Sequence, residues 1–167
     1  MTSISPSPPA FALDAMLGRL ARWLRALGFD TVYQPGVDDH DLVALADNES
    51  RILLTRDRHL ITYLRPRRGL LVTSGRPLAQ LGEVAEQYGI GPTDDLFNRC
   101  LICNTRLRAA TSHEVATQVP KQSRTLPGPF LACPGCGRTY WPGSHVRRMR
   151  SALAELFPEL ASHNPQG

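Results

Sequence analysis

Apolar residues in the first ninety positions come in short runs separated by stripes at helical spacing. Phe11 to Asp14 is a brief apolar run ending on an acid, which predicts a first strand. In MLGRLARWLRALG, Leu17, Leu20, Leu24 and Leu27 recur at i, i+3, i+7 and i+10, with Ala21 and Trp23 beside them. That spacing draws one apolar stripe along a helix, leaves Arg19, Arg22 and Arg25 largely on the other side, and ends at Gly28. Phe29 to Tyr33 predicts a second strand closed by Pro35-Gly36. VDDHDLVALADNES predicts a short helix with Asp38 or Asp39 as its N-cap. Arg51 to Thr55 predicts a third strand running into Arg56-Asp57, followed by a short helix over 58–64 that stops before Pro66. Gly69 to Thr73 predicts a fourth strand. Pro77 then opens a helix carrying Leu78, Leu81, Val84, Ala85 and Tyr88 on one face, with Gly89 as its stop. Strands alternating with helices predict an α/β fold, a parallel sheet flanked by helices. Right-handed crossovers place the carboxyl ends of the strands on one edge, where such sheets bind ligands.

Beyond residue 95 the pattern changes. Residues 112–129 are polar and turn-forming, which predicts a hairpin or mobile loop, and residues 151–167 predict a short helix with a fraying end. Residues 1–10, with three prolines, read as a disordered tail. The net charge of +4 divides unevenly along the chain. Residues 1–95 carry 10 Arg and 12 acids, residues 96–167 carry 9 Lys/Arg and 3 acids, so the halves stand at −2 and +6. No apolar run approaches the roughly 18 residues a membrane span needs, and MTSISPSPPA has no charged n-region or apolar h-region. A cytoplasmic chain without a membrane partner is expected.

All four cysteines lie in the basic half, as C-x2-C at Cys100 and Cys103, 29 residues, and C-x2-C at Cys133 and Cys136. Two such knuckles present four thiolates to a tetrahedral Zn²⁺, and with all positions filled the ion is structural. Pro134-Gly135 and Gly137 suit the bend of the second knuckle, and Asn104 suits that of the first. A module this small takes much of its folding energy from its metal.

Three groups of acids fall at the predicted strand edge: Asp14 after the first strand, the Asp38/Asp39/Asp41 cluster after the second, and Asp57 after the third. Each has an ordinary reading as a cap or turn residue. Together, oxygen-only donors suit Mg²⁺ or Mn²⁺, either of which activates water toward a phosphodiester. Arg19, Arg22 and Arg25 read either as a guide for a polyanion or as a solvated helix face. Arg56 either contacts a phosphate or pairs with a neighbouring acid. Arg99, Arg106, Arg108, Lys121, Arg124, Arg138, Arg147, Arg148 and Arg150 surround the knuckles, and Tyr140 and Trp141 among them suit stacking on unpaired bases or a small ribbon core.

Three separated words, FALDAMLGRLARWLRALGFD at 11–30, ILLTRD at 52–57 and RC-x-x-C…CPGCGR-x-YW-x-GSH at 99–145, resemble the Mut-seven C-terminal RNase family over roughly residues 11–150. The resemblance implies a PIN-like, Rossmann-type domain over 11–95, a zinc ribbon over 96–150 and a metal-dependent endoribonuclease activity. Carried over, Asp14, Asp39 and Asp57 are the catalytic acids that hold Mg²⁺ or Mn²⁺, with Asp38 the alternative to Asp39. A fourth acid has no clear match, Asp94 and Asp95 being the candidates. RNA contacts are expected from Arg22, Arg56, Arg138, Trp141, His145, Arg147 and Arg148. The other reading is a non-catalytic adaptor that binds RNA, the ribosome or a protein partner.

Overall fold

A computed structural model describes residues 7–162; residues 1–6 and 163–167, which carry most of the expected loose ends, lie outside the described residues. The chain forms two compact units, one running to Arg25 and resuming over Phe29–Gly89, the other built from Ala26–Gly28 and the chain from Ile90 onward.

The first unit holds β1 (Phe11–Leu13), α1 (Gly18–Ala26) but for its last residue, β2 (Thr31–Tyr33), α2 (Asp39–Asn48), β3 (Ile52–Thr55), β4 (Gly69–Leu71) and α3 (Pro77–Tyr88). The four strands form one sheet in the order β2-β1-β3-β4, with every pair parallel. The expected mixed α/β architecture is therefore present. β1 and β3 are buried along their whole length, as central strands covered on both faces must be. Leu17, Leu20 and Leu24 are buried, so the leucine stripe faces inward. Leu42, Val43 and Ala46 of α2 pack with Ala12, Leu53 and Leu60. Phe11 meets Phe29 and Tyr88 edge-on, at centroid distances of 5.8 and 6.4 Å. The short helix after β3 closes as a single π turn over Leu60–Leu64 and ends at Arg65 in the left-handed region.

Arg25 departs from the expected solvated face. It is 3% exposed, and its Nε and Nη2 donate to the Thr31 carbonyl at 3.0 and 2.9 Å. One position past Leu24 and four past Ala21, it falls on the inward edge of the stripe, where its fork can reach the start of β2. Arg19 and Arg22 remain exposed.

The second unit contains a three-stranded antiparallel sheet, β5 (Arg108–Ala109), β6 (Leu131–Ala132) and β7 (Thr139–Tyr140), with α4 (Ser112–Gln118), α5 (Ser144–Leu156) and α6 (Glu159–Ser162). α4 corrects the expected hairpin or mobile loop. Its start is a reciprocal capping box: Thr111 Oγ1 accepts from the Glu114 N–H, and the Glu114 carboxylate accepts from the Thr111 N–H. α4 buries no residue, so no apolar stripe betrayed it, although T-x-x-E is a helix-start word. α6 likewise stands where fraying was expected.

Candidate acidic edge and cysteine metal centre

Asp14 caps the turn leaving β1 and is 6% exposed. A charge buried to this degree needs partners, and it has three. Oδ1 accepts the Met16 N–H at 2.8 Å; Oδ2 accepts the Thr55 hydroxyl and the Arg56 N–H, the latter at 3.0 Å. Thr55 Oγ1 in turn accepts the Asp57 N–H at 2.9 Å. Parallel pairing of β1 with β3 sets both strand ends level, and the Thr55 hydroxyl links the two acidic words directly. Thr55 is the edge residue that charge-based reasoning passed over.

Asp57 and Asp38 do similar local work. Asp57 Oδ1 accepts the His59 N–H, and Asp38 Oδ1 accepts the His40 N–H, each at 2.8 Å. The N-cap of α2 is thus Asp38, and Asp39 is an exposed first-turn residue. Among the described residues, Asp14, Asp38, Asp39 and Asp57 do not gather three carboxylates within ligand distance of one another. What joins two of them is the Thr55 hydroxyl, which donates to Asp14 and accepts from the Asp57 N–H at the paired ends of β1 and β3. Glu83 of α3, which the sequence did not single out, accepts the Thr73 and Ser74 N–H groups at 2.9 and 2.6 Å and so pins the chain leaving β4. Those bonds hold its carboxyl below the ordinary range although burial works the other way.

The cysteines converge. The Sγ atoms of Cys100, Cys103, Cys133 and Cys136 all lie within 4.8 Å of one another. Cys100 meets Cys136 at 3.6 Å and Cys103 meets Cys133 at 3.3 Å. A Zn–S bond of about 2.3 Å in a tetrahedron sets sulfur–sulfur edges near about 3.8 Å, so the donor set fits zinc. The two knuckles repeat the same bonds. Cys103 N–H points at Cys100 Sγ (3.5 Å) and Cys136 N–H at Cys133 Sγ (3.4 Å), while Asn104 N–H reaches the Cys100 carbonyl (3.0 Å) and Gly137 N–H the Cys133 carbonyl (2.9 Å). Asn104 and Gly137 both take positive φ, 70° and 73°, which their residue types permit.

As free thiols, Cys103 and Cys136 are pushed in opposite directions. Burial raises Cys103, but hydrogen bonding with Thr105 outweighs it and brings the thiol down to about 6. Burial and the neighbouring sulfurs push Cys136 up to about 12. Thiolates bind a divalent cation only when deprotonated, so a metal held by this cluster would favour ionisation of its ligands. Tyr140 joins this centre: its hydroxyl lies 3.1 Å from Cys100 Sγ and accepts the Leu101 N–H at 3.2 Å.

Several cations of the basic half are engaged within the protein. Arg106 forks onto Asp95 at 3.1 and 2.8 Å, which also ties up one of the two fourth-acid candidates. Arg108 forks onto Glu114, and Arg99 donates to the Gly28 and Asn104 carbonyls. Arg124 Nε donates to the Val119 carbonyl at 2.8 Å. Arg138, Arg147 and Arg148 are exposed, as are Arg22 and Arg56 in the first unit. Trp141 and His145 lie on the wall of a cavity beside α5.

No helix of the described residues is long and apolar enough to cross a membrane. Comparison with the curated proteins and with the solved structures finds no match. The family model of the Mut7-C RNAse domain matches residues 9–153, which takes in both the acidic edge and the cysteine centre. The chain therefore belongs to the Mut7-C RNAse domain family.

Proposed function

We propose that the chain is a metal-dependent endoribonuclease, with residues 11–95 carrying the chemistry and the four-cysteine ribbon over 96–150 holding RNA. The observation that carries this reading is Asp14, a carboxylate buried at the end of a central strand and tied through Thr55 to the T-R-D word. Asp14 is held in one orientation, and Asp57 and Asp39 stand exposed on the same edge to share a Mg²⁺ or Mn²⁺ through direct and water-mediated contacts. When bound, the ion neutralises charge on the phosphodiester and eases deprotonation of an attacking water. The exposed Arg56 fork positions the phosphate, and Arg138, Arg147 and Arg148 retain the strand electrostatically. The four cysteines hold a structural zinc.

Cleavage of single-stranded RNA with Mn²⁺ tests the proposal. Asp57→Asn and Asp39→Asn should each lower the rate by at least about a hundredfold at unchanged RNA affinity, the range expected for loss of a group acting on the transition state. Mutants that cut as fast as the parent exclude this mechanism.

One observation favours a second reading, an adaptor that binds RNA or the ribosome without cutting. The acids do not close into a three-carboxylate cage, and Asp14 already has three donors from the protein. Salt-dependent RNA binding with no turnover under any divalent ion would select it.

A further inference from the structure

Within the second unit a cavity of about 130 Å³ opens between the strands and α5. Phe97, Tyr140 and Trp141 supply aromatic surface, with His145 and Arg150 beside them and Leu131 among the apolar residues. No acid lines it. The Arg150 guanidinium sits over the Phe97 ring at 5.4 Å. Tyr140 cannot swing away, because its hydroxyl is held by Cys100 Sγ and the Leu101 N–H. Gly143 lies close against the Trp141 indole, where a Cβ would come within 2.8 Å of Nε1. Two walls are therefore fixed, one by the cysteine centre and one by a close backbone approach. Arg150 brings a cation into the lining itself. Arg147 and Arg148 are exposed on the same helix outside that lining, and Arg147 Nη1 also donates to the Pro142 carbonyl at 3.3 Å.

We propose that this cavity receives one unpaired nucleobase of a bound RNA strand, packed against Trp141, while the arginines of α5 hold the adjoining phosphates. Aromatic surface without acids, flanked by cations, is what base stacking with backbone retention requires, and it is sequence-tolerant. The inference rests on the RNA-binding part of the proposed function and is independent of cleavage.

The chain has two tryptophans, so Trp23→Phe leaves Trp141 as the single emitter. That variant is titrated, without added divalent ions, with a single-stranded oligouridine or oligoadenosine and separately with inorganic polyphosphate. RNA should quench Trp141, and polyphosphate should compete for the strand without quenching. In the parent, Trp141→Ala should weaken RNA binding by at least about fivefold, with zinc content unchanged by elemental analysis. Should that variant lose zinc, Val146→Phe, which fills the cavity instead of opening it, should weaken RNA binding while retaining the metal. RNA that binds without altering Trp141 emission overturns the base site and leaves the RNA reading standing. Equal quenching by polyphosphate overturns it in favour of charge alone, and failure to bind RNA at low salt overturns both.

Discussion

Replacing Asp14 by Asn separates what this carboxylate does for the fold from what it does for chemistry. Its two oxygens accept from Met16, Thr55 and Arg56, and the group is 6% exposed. An amide offers one acceptor oxygen and one donor. If the oxygen stays with Met16, the amide nitrogen faces the Arg56 N–H, donor against donor; if it flips, Met16 is left facing a donor instead. The Thr55 hydroxyl can rotate and adapt, but one backbone N–H loses its acceptor in either orientation. Losing a charge-assisted bond, about 1.5–3 kcal/mol, and stranding a buried donor give an expected loss of about 2–4 kcal/mol. Asp57→Asn should behave differently. Asp57 is exposed and caps the His59 N–H, and Asn caps as well as Asp, so its cost should stay within about 0.5 kcal/mol. Urea unfolding followed by Trp23 emission in a Trp141→Phe background measures both in the first unit. If Asp14→Asn unfolds at the parent's midpoint with the parent's slope, the hydrogen-bond assignment at this edge is wrong. The asymmetry also decides which mutant reads catalysis cleanly, namely Asp57→Asn.

Chelation of zinc should unfold the second unit, lost by circular dichroism and regained with Zn²⁺, and Cys136→Ser should bind far less metal; an unchanged spectrum at zero zinc would refute a structural ion. Arg25→Ala should cost about 1.5–3 kcal/mol in unfolding, because it removes a buried fork that donates twice to the Thr31 carbonyl, without weakening RNA binding; a fall in affinity at unchanged stability would contradict this assignment. The Arg108 fork and the Thr111 backbone bond hold the Glu114 carboxyl down at about 2, against an ordinary 4.5. A depressed acid stabilises the folded state fully above the ordinary value and loses that contribution as pH falls toward the lowered one. The first turn of α4 should therefore stay ordered through pH 4.5. An NMR titration of the Glu114 carboxyl with its midpoint at the ordinary value would refute the pairing.

The leucine stripe, the short apolar strands and the two C-x2-C knuckles are local patterns, and each survived folding because burial and tight-turn geometry act on residue type and spacing. Asn104 and Gly137 were legible for the same reason: a sharp knuckle needs residues that tolerate positive φ. α4 was hidden because it buries nothing, and only its capping box announced it. Arg25 was misread because helical spacing places it at the border between faces, and the acceptor that draws it inward lies on another element. Asp38 and Asp39 were indistinguishable as caps until the backbone chose Asp38.

The sequence by itself determined the alternation of elements, the two pairs of thiols and the presence of acids near strand ends, since each follows from periodicity or spacing along the chain. Only the tertiary structure decided which charges remain available. It joined Asp14 to Thr55 and Arg56 across a parallel strand pair, set Arg106 on Asp95 and Arg108 on Glu114, and left Arg138, Arg147 and Arg148 exposed. The physical reason is that a charge's role depends on the donors and acceptors within about 3 Å of it, and the fold, not residue type, chooses among the candidates, whether two residues away as for Asp57 and His59 or more than forty as for Asp14 and Arg56.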